Sequence, residues 1–151
     1  MCSANSVFSG EAIMDWRLSA AFSALFAGMT AVLAKVGISN VPSNLATLVR
    51  TIVIVIFASG IVIARGEWKS LNTFTPRTWT FLVLSGIATG LSWLFYFSAL
   101  KNGKVSQVAP IDKMSFVIAM TLGALFLAER PKPTTWAGAA LIVAGVLLTL
   151  K

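Results

Sequence analysis

Apolar positions along the chain fall into five long runs separated by short polar breaks: residues 17–38, 45–64, 77–100, 105–128 and 134–150. Each is close to the ~20 residues a helix needs to cross ~30 Å of hydrocarbon, so the pattern predicts five transmembrane helices. The breaks carry ordinary turn and loop signals, such as Ser39-Asn40-Val41-Pro42, Lys101-Asn102-Gly103-Lys104 and Glu129-Arg130-Pro131. The longest, residues 65–76, contains Lys69, Asn72 and Pro76 and reads as an exposed loop. None of the runs has the polar stripe that an amphipathic helix presents to water, which argues against a soluble helical bundle.

Composition sharpens this picture. Only 11% of residues are charged, against about 25% in a soluble domain, and the mean hydropathy is +0.85. The fold class is therefore an all-α membrane protein, a bundle of five transmembrane helices embedded in the lipid bilayer. The net charge of +7 comes from basic residues scattered singly between apolar runs. That spacing fits membrane topology and offers no basic cluster or recognition helix for nucleic acid. With Cys2 as the lone cysteine and no histidine, an intrachain disulfide, a His-based metal site and Ser-His-Asp chemistry are excluded. No nucleophile–base pair or metal-ligand constellation is visible, so neither an enzyme nor a cofactor is expected. Residues 1–13 lack the basic and apolar regions of a signal peptide and read as a disordered extension. Met14, just before Asp15-Trp16-Arg17, is an alternative translation start, which sets the membrane domain at residues 14–151.

An odd number of spans puts the termini on opposite sides. Arg17, Arg65, Lys69, Arg77, Arg130 and Lys132 then share the side of the chain start, with Lys101, Lys104 and Lys151 on the other. The positive-inside rule favours a cytoplasmic N-terminus. If Lys35, Arg50 and Lys113 reach the second surface, however, the bias vanishes. Trp16, Trp68, Trp79 and Trp136 fall near the expected interfaces, whereas Trp93 lies well inside the third run. Gly86 and Gly90 form a GxxxG step, and small residues recur at Ala20/Ala24/Gly28, Ala119/Gly123 and Gly138/Gly145. Such faces predict a compact bundle that also packs against a second copy.

Depth along each helix, at ~1.5 Å per residue, gathers the unusual residues. Lys35, Arg50, Trp93, Tyr96, Asp112 and Lys113 all fall near the ends of their spans on the side opposite the chain start. They share one slab within roughly 10 Å of that surface. Ionisable residues inside a membrane are costly and by default mark a functional site. On an unbroken fourth helix, Asp112, Ser115, Ala119 and Gly123 would form one small polar face, with Lys113 rotated ~100° away and unable to pair with Asp112 by adjacency alone. Pro110 makes the start of that helix a place for irregular backbone. The slab either sends its bases to the headgroups or lines a cavity for an anionic or zwitterionic guest.

The stretch Tyr96-Phe97-Ser98-Ala99-Leu100-Lys101-Asn102-Gly103-Lys104-Val105-Ser106-Gln107-Val108-Ala109-Pro110-Ile111-Asp112-Lys113 resembles the EamA-like domain of the drug/metabolite transporter superfamily. So does Ala124-Leu125-Phe126-Leu127-Ala128-Glu129-Arg130. The resemblance spans nearly the whole chain and implies a permease or exporter of small polar or amphipathic metabolites or drugs in the cell inner membrane. Typical members have ten spans, as two five-helix repeats of inverted topology, so this chain corresponds to one half. The missing half implies an antiparallel homodimer. Asp112 would bind the coupling proton or a cationic group of a small-molecule substrate, with Lys113, Arg50 and Lys35 as counter-charges. Trp93, Tyr96 and Ser115 would line the cavity. A non-transporting membrane subunit, whose charges only specify assembly with another protein, is the alternative from a different class.

Overall fold

The computed structural model describes residues 15–150, and every element among them is helical. The extension expected over residues 1–13, with Cys2 and the alternative start at Met14, lies outside the described residues, as does the charge expected at Lys151.

Four long helical stretches carry the fold. Helix α1 (Trp16–Gly37) begins where the Asp15 carboxylate accepts a hydrogen bond from the Arg17 N–H at 3.1 Å. This satisfies one of the free N–H groups of the first turn. Helix α2 (Ser43–Ala64) starts directly after Pro42, and beyond its cap Arg65 the chain turns at Gly66, whose φ of +68° is the left-handed conformation that suits glycine after a helix end. A short 3-10 helix (Glu67–Thr73) fills the long break. Helix α3 (Pro76–Asn102) is capped by the Thr75 hydroxyl and has Pro76 in its first turn, where its missing N–H is harmless.

The fourth apolar run departs from a single helix. It forms α4 (Val105–Asp112) and α5 (Ser115–Phe126), joined by a tight turn at Lys113 and Met114. Pro110 within α4 has no N–H to give Ser106, and the backbone beyond it tightens: Met114 bonds back to Ile111 and Phe116 to Lys113, three residues each. Helix α6 (Pro133–Thr149) closes the described chain.

The stretches Trp16–Gly37, Ser43–Ala64, Pro76–Asn102 and Val105–Phe126 are long and apolar enough to cross a membrane. The chain is thus a multi-pass membrane protein. Helix α6 is apolar but has 17 residues, about 25 Å of helix against the ~30 Å of hydrocarbon.

Packing is uneven along the membrane normal. The buried side chains Ala31, Ile38, Thr47, Phe97 and Leu100 all belong to the halves of α1, α2 and α3 farther from the chain start. In the other halves every residue of 15–29, 51–61 and 79–92 is exposed. For α1, α2 and α3 the packing is therefore at one end only, while α5 and α6 bury Met120, Gly123, Ala139 and Val146. Small residues do not close the other end within the chain. A Cβ built on Gly28, Gly86, Gly90, Gly138 or Gly145 would meet nothing within 4 Å. Lipid, or another protein surface, must cover these faces. By contrast, a Cβ on Gly123 would lie 3.0 Å from the Glu129 carboxylate, which folds back over the end of α5 after Ala128 turns left-handed.

Candidate functional site

Two lysines stitch the packed end together. The Lys35 ammonium, in the last turn of α1, donates to the Leu100 carbonyl and to the Gly103 carbonyl at 2.8 Å. The last carbonyls of a helix have no partner in their own ladder and carry its negative dipole end, so a cation there is doubly favoured. Lys101, on α3, donates in turn to the Val41 carbonyl at 3.2 Å in the α1–α2 loop. These bonds tie the ends of α1 and α3 and the α1–α2 loop together, the part-buried pair from Lys35 contributing more than the exposed one from Lys101. Lys35 is thus held by backbone oxygens at the end of α3, away from Asp112.

Above this seam the charged and aromatic residues line up across α3. The Arg50 guanidinium carbon sits 3.4 Å from the centre of the Trp93 indole and 5.9 Å from that of Phe97. A cation over an aromatic face in a site sheltered from water gains roughly 0.5–2 kcal/mol. Trp93 makes edge-to-face contacts with Tyr96 at 5.3 Å and with Phe97 at 5.9 Å between ring centres. Spacings of three and four residues put these rings on one side of α3. Tyr96 then faces a cavity of about 290 Å³ between α3 and α4, whose wall includes Ser92, Phe95, Val108 and Asp112. A second, larger groove of about 490 Å³ lies between α1 and α2 and reaches Arg50 and Phe97. The four residues Arg50, Trp93, Tyr96 and Asp112 therefore form one continuous series, with a base at one end and an acid at the other.

Lys113 corrects the sequence expectation. Its ammonium lies 3.5 Å from the Asp112 carboxylate, so the adjacent residues do pair. The ~100° separation holds only within a regular helix. Here the helix ends at Asp112, and the turn at Lys113 leaves its flexible stem free to curl back. The same break separates Ser115 from Asp112: Ser115 begins α5, is exposed and is not part of the Asp112 cavity wall. The single polar face running from Asp112 to Gly123 is therefore not formed. Phe97 was not singled out among the aromatics, although its burial and its place one turn from Trp93 make it the floor under Arg50. The i, i+4 spacing of Trp93 and Phe97 is the signal that would have found it. Among the described residues, no cluster of three or more metal-ligating side chains occurs.

The chain matches the EamA-like transporter family over residues 15–151. It is 50% identical over 134 residues, covering 89% of this chain and 95% of the relative, to an uncharacterized transporter in the cobO 3′ region of a Sinorhizobium species. It is 31% identical over 81 residues, 54% of this chain, to an uncharacterized transporter of Pseudomonas aeruginosa. Protein RarD of Escherichia coli is 28% identical over 86 residues, 56% of this chain. The matched stretches are only 27% and 29% of those two relatives, which are about twice as long as this chain. No solved structure matches the chain. With its helices, its intramembrane charges and the family match over almost its whole length, this chain belongs to the EamA-like transporter family.

Proposed function

We propose that this protein is a secondary active transporter of a small polar or amphipathic solute in the cell inner membrane, working as an antiparallel homodimer. The observation that carries the proposal is the cavity between α3 and α4, where the Asp112 carboxylate and the Tyr96 ring share one wall inside the membrane-spanning region. The Lys113 ammonium lies 3.5 Å from this carboxylate and pairs with it. Protonation or the arrival of a cationic group at Asp112 releases Lys113, which couples occupancy of the cavity to a change at the α4–α5 turn. Tyr96 serves as its aromatic wall, while Trp93 is not part of the lining and packs edge-to-face against Tyr96.

Three observations support the two-copy assembly. The halves of α1, α2 and α3 nearer the chain start have no buried residue. The glycine faces of α3 at Gly86 and Gly90 are uncovered. The Sinorhizobium relative has about the length of this chain, whereas the Pseudomonas and Escherichia relatives have about twice that length. In this assembly α6 is the fifth span, with local thinning of the bilayer or anchoring at its ends making up its shortfall. Alternating access is then rocking of one copy against the other around the paired cavities.

The experiment is reconstitution of the purified chain into pyranine-loaded liposomes, challenged with a panel of amphipathic cations and zwitterions. Solute-dependent proton movement across the membrane supports the proposal. Silence toward the whole panel, together with stable co-purification of one other membrane protein, would replace it with the subunit alternative.

A further inference from the structure

Arg50 is set apart from the Asp112 cavity. Among the described residues, the ion pairs are Arg65–Glu67 and Lys113–Asp112, and the Arg50 guanidinium makes neither an ion pair nor a side-chain hydrogen bond. It lies seven residues into α2 from Ser43, ~10 Å of helix. Trp93, the ring it contacts, lies nine residues before the end of α3, or ~13 Å. The side chain is thus turned onto α3, whereas a snorkelling arginine would extend its head to the lipid headgroups. The guanidinium lies over the indole and, among the described residues, its N–H donors have no hydrogen-bond or ion-pair partner, so they can meet a ligand.

The groove that leads to this edge is apolar. Leu33, Val41, Leu45 and Val49 form its walls and Phe97 its floor, and Arg50 is its one charged group. Among the described residues, no carboxylate lines it. We propose that the α1–α2 groove is a binding site for an amphipathic anion, with the carboxylate or phosphate accepted by Arg50 and the hydrocarbon part lying along Leu33, Leu45 and Val49. The chemistry is that of a planar cation on the wall of an open apolar groove. An alcohol of the same tail fills the walls but leaves the donors unmet, and a cation is repelled. The site takes either a free organic acid or the headgroup of a lipid, since both present that anion.

The test uses the full chain, with tryptophan indoles labelled with nitrogen-15, in phosphatidylcholine nanodiscs. The probes are octanoate, octanol and octyltrimethylammonium. The five tryptophans give separate indole N–H signals, with Trp93 assigned from the Trp93→Phe variant. Octanoate should shift the Trp93 signal saturably, at concentrations where octanol and octyltrimethylammonium do not. Arg50→Gln should weaken octanoate binding roughly tenfold to a hundredfold. Arg50→Lys should retain part of it, because the charge remains while the planar fork is lost. Unmoved signals from Trp16, Trp68, Trp79 and Trp136 certify that the variants are folded. Discs containing phosphatidylglycerol separate the two sources. Displacement of octanoate there, with the same Trp93 shift, makes lipid the occupant, and undisturbed octanoate binding makes it a free acid. Equal binding of octanol and octanoate, or octanoate binding indifferent to Arg50→Gln, overturns the proposal. The site and the transport function fail separately. Arg50-dependent binding in a chain that moves no solute would sink only transport. Solute flux beside Arg50-independent binding would sink only this site.

Discussion

Arg50 sits over the Trp93 ring, the guanidinium carbon 3.4 Å from the centre of the indole, and the contact ties the start of α2 to the inner part of α3. Its strength is measurable by a double-mutant cycle with Arg50→Gln and Trp93→Leu, read by unfolding in mixed micelles. The expected coupling is about 0.5–2 kcal/mol, because the pair is partly withdrawn from water. Additive effects of the two substitutions would show that the stacking contributes nothing.

Lys35 and Lys101 bond to carbonyls at the same end of the bundle, yet they should differ. Lys35 is partly buried and serves both Leu100 and Gly103, whereas Lys101 is exposed and serves Val41 alone. Lys35→Met is expected to cost about 2 kcal/mol, and Lys101→Met no more than about 0.5 kcal/mol. Equal losses in a micelle unfolding titration would contradict the asymmetry.

The glycines divide in the same manner. A Cβ at Gly103 would meet the Val108 side chain at 2.9 Å and the Ala99 carbonyl oxygen at 3.2 Å, directly beside the Lys35 seam. Gly103→Ala is therefore expected to destabilise the chain by about 1–3 kcal/mol. A Cβ at Gly86 or Gly90 meets nothing within 4 Å, so Gly86→Leu and Gly90→Leu should leave the helicity unchanged. If the second copy packs there, both substitutions should lower energy transfer between differently labelled copies in liposomes. Unchanged transfer would move the dimer contact elsewhere.

Much of this arrangement was legible in the order of residues, for identifiable physical reasons. Hydropathy needs no tertiary context, so the apolar runs became helices close to their expected positions, with α3 extended to Pro76 and Asn102 by a threonine cap and a proline. Depth along a helix is also a local quantity, which is why Arg50, Trp93, Tyr96 and Asp112 were expected in one slab and do form a series. What escaped depends on breaks and on distant partners. The turn at Lys113 arises where Pro110 weakens the ladder, and it alone decides that Lys113 pairs with Asp112 while Ser115 faces elsewhere. The partners of Lys35 are carbonyls 65 and 68 residues away, which no periodicity encodes. Small-residue spacing marks where close approach is possible, and at Gly86 and Gly90 it does not occur within the chain.

Charge placement yields a prediction about orientation. Lys35 is held at the same surface as Lys101, which narrows the excess of basic residues on the side of the chain start. Reporters fused to the termini are expected to signal both orientations, as an antiparallel pair requires. One clean orientation in every cell would argue against that pair.

The most direct measurement compares solute-driven proton flux in proteoliposomes made with the unaltered chain and with Asp112→Asn, over a range of pH. The account predicts pH-dependent flux for the unaltered chain. For Asp112→Asn it predicts flux reduced roughly tenfold or more, with no remaining pH dependence. Asp112→Asn protein that carries solute at the same rate and with the same pH profile would remove Asp112 from the mechanism and contradict the account.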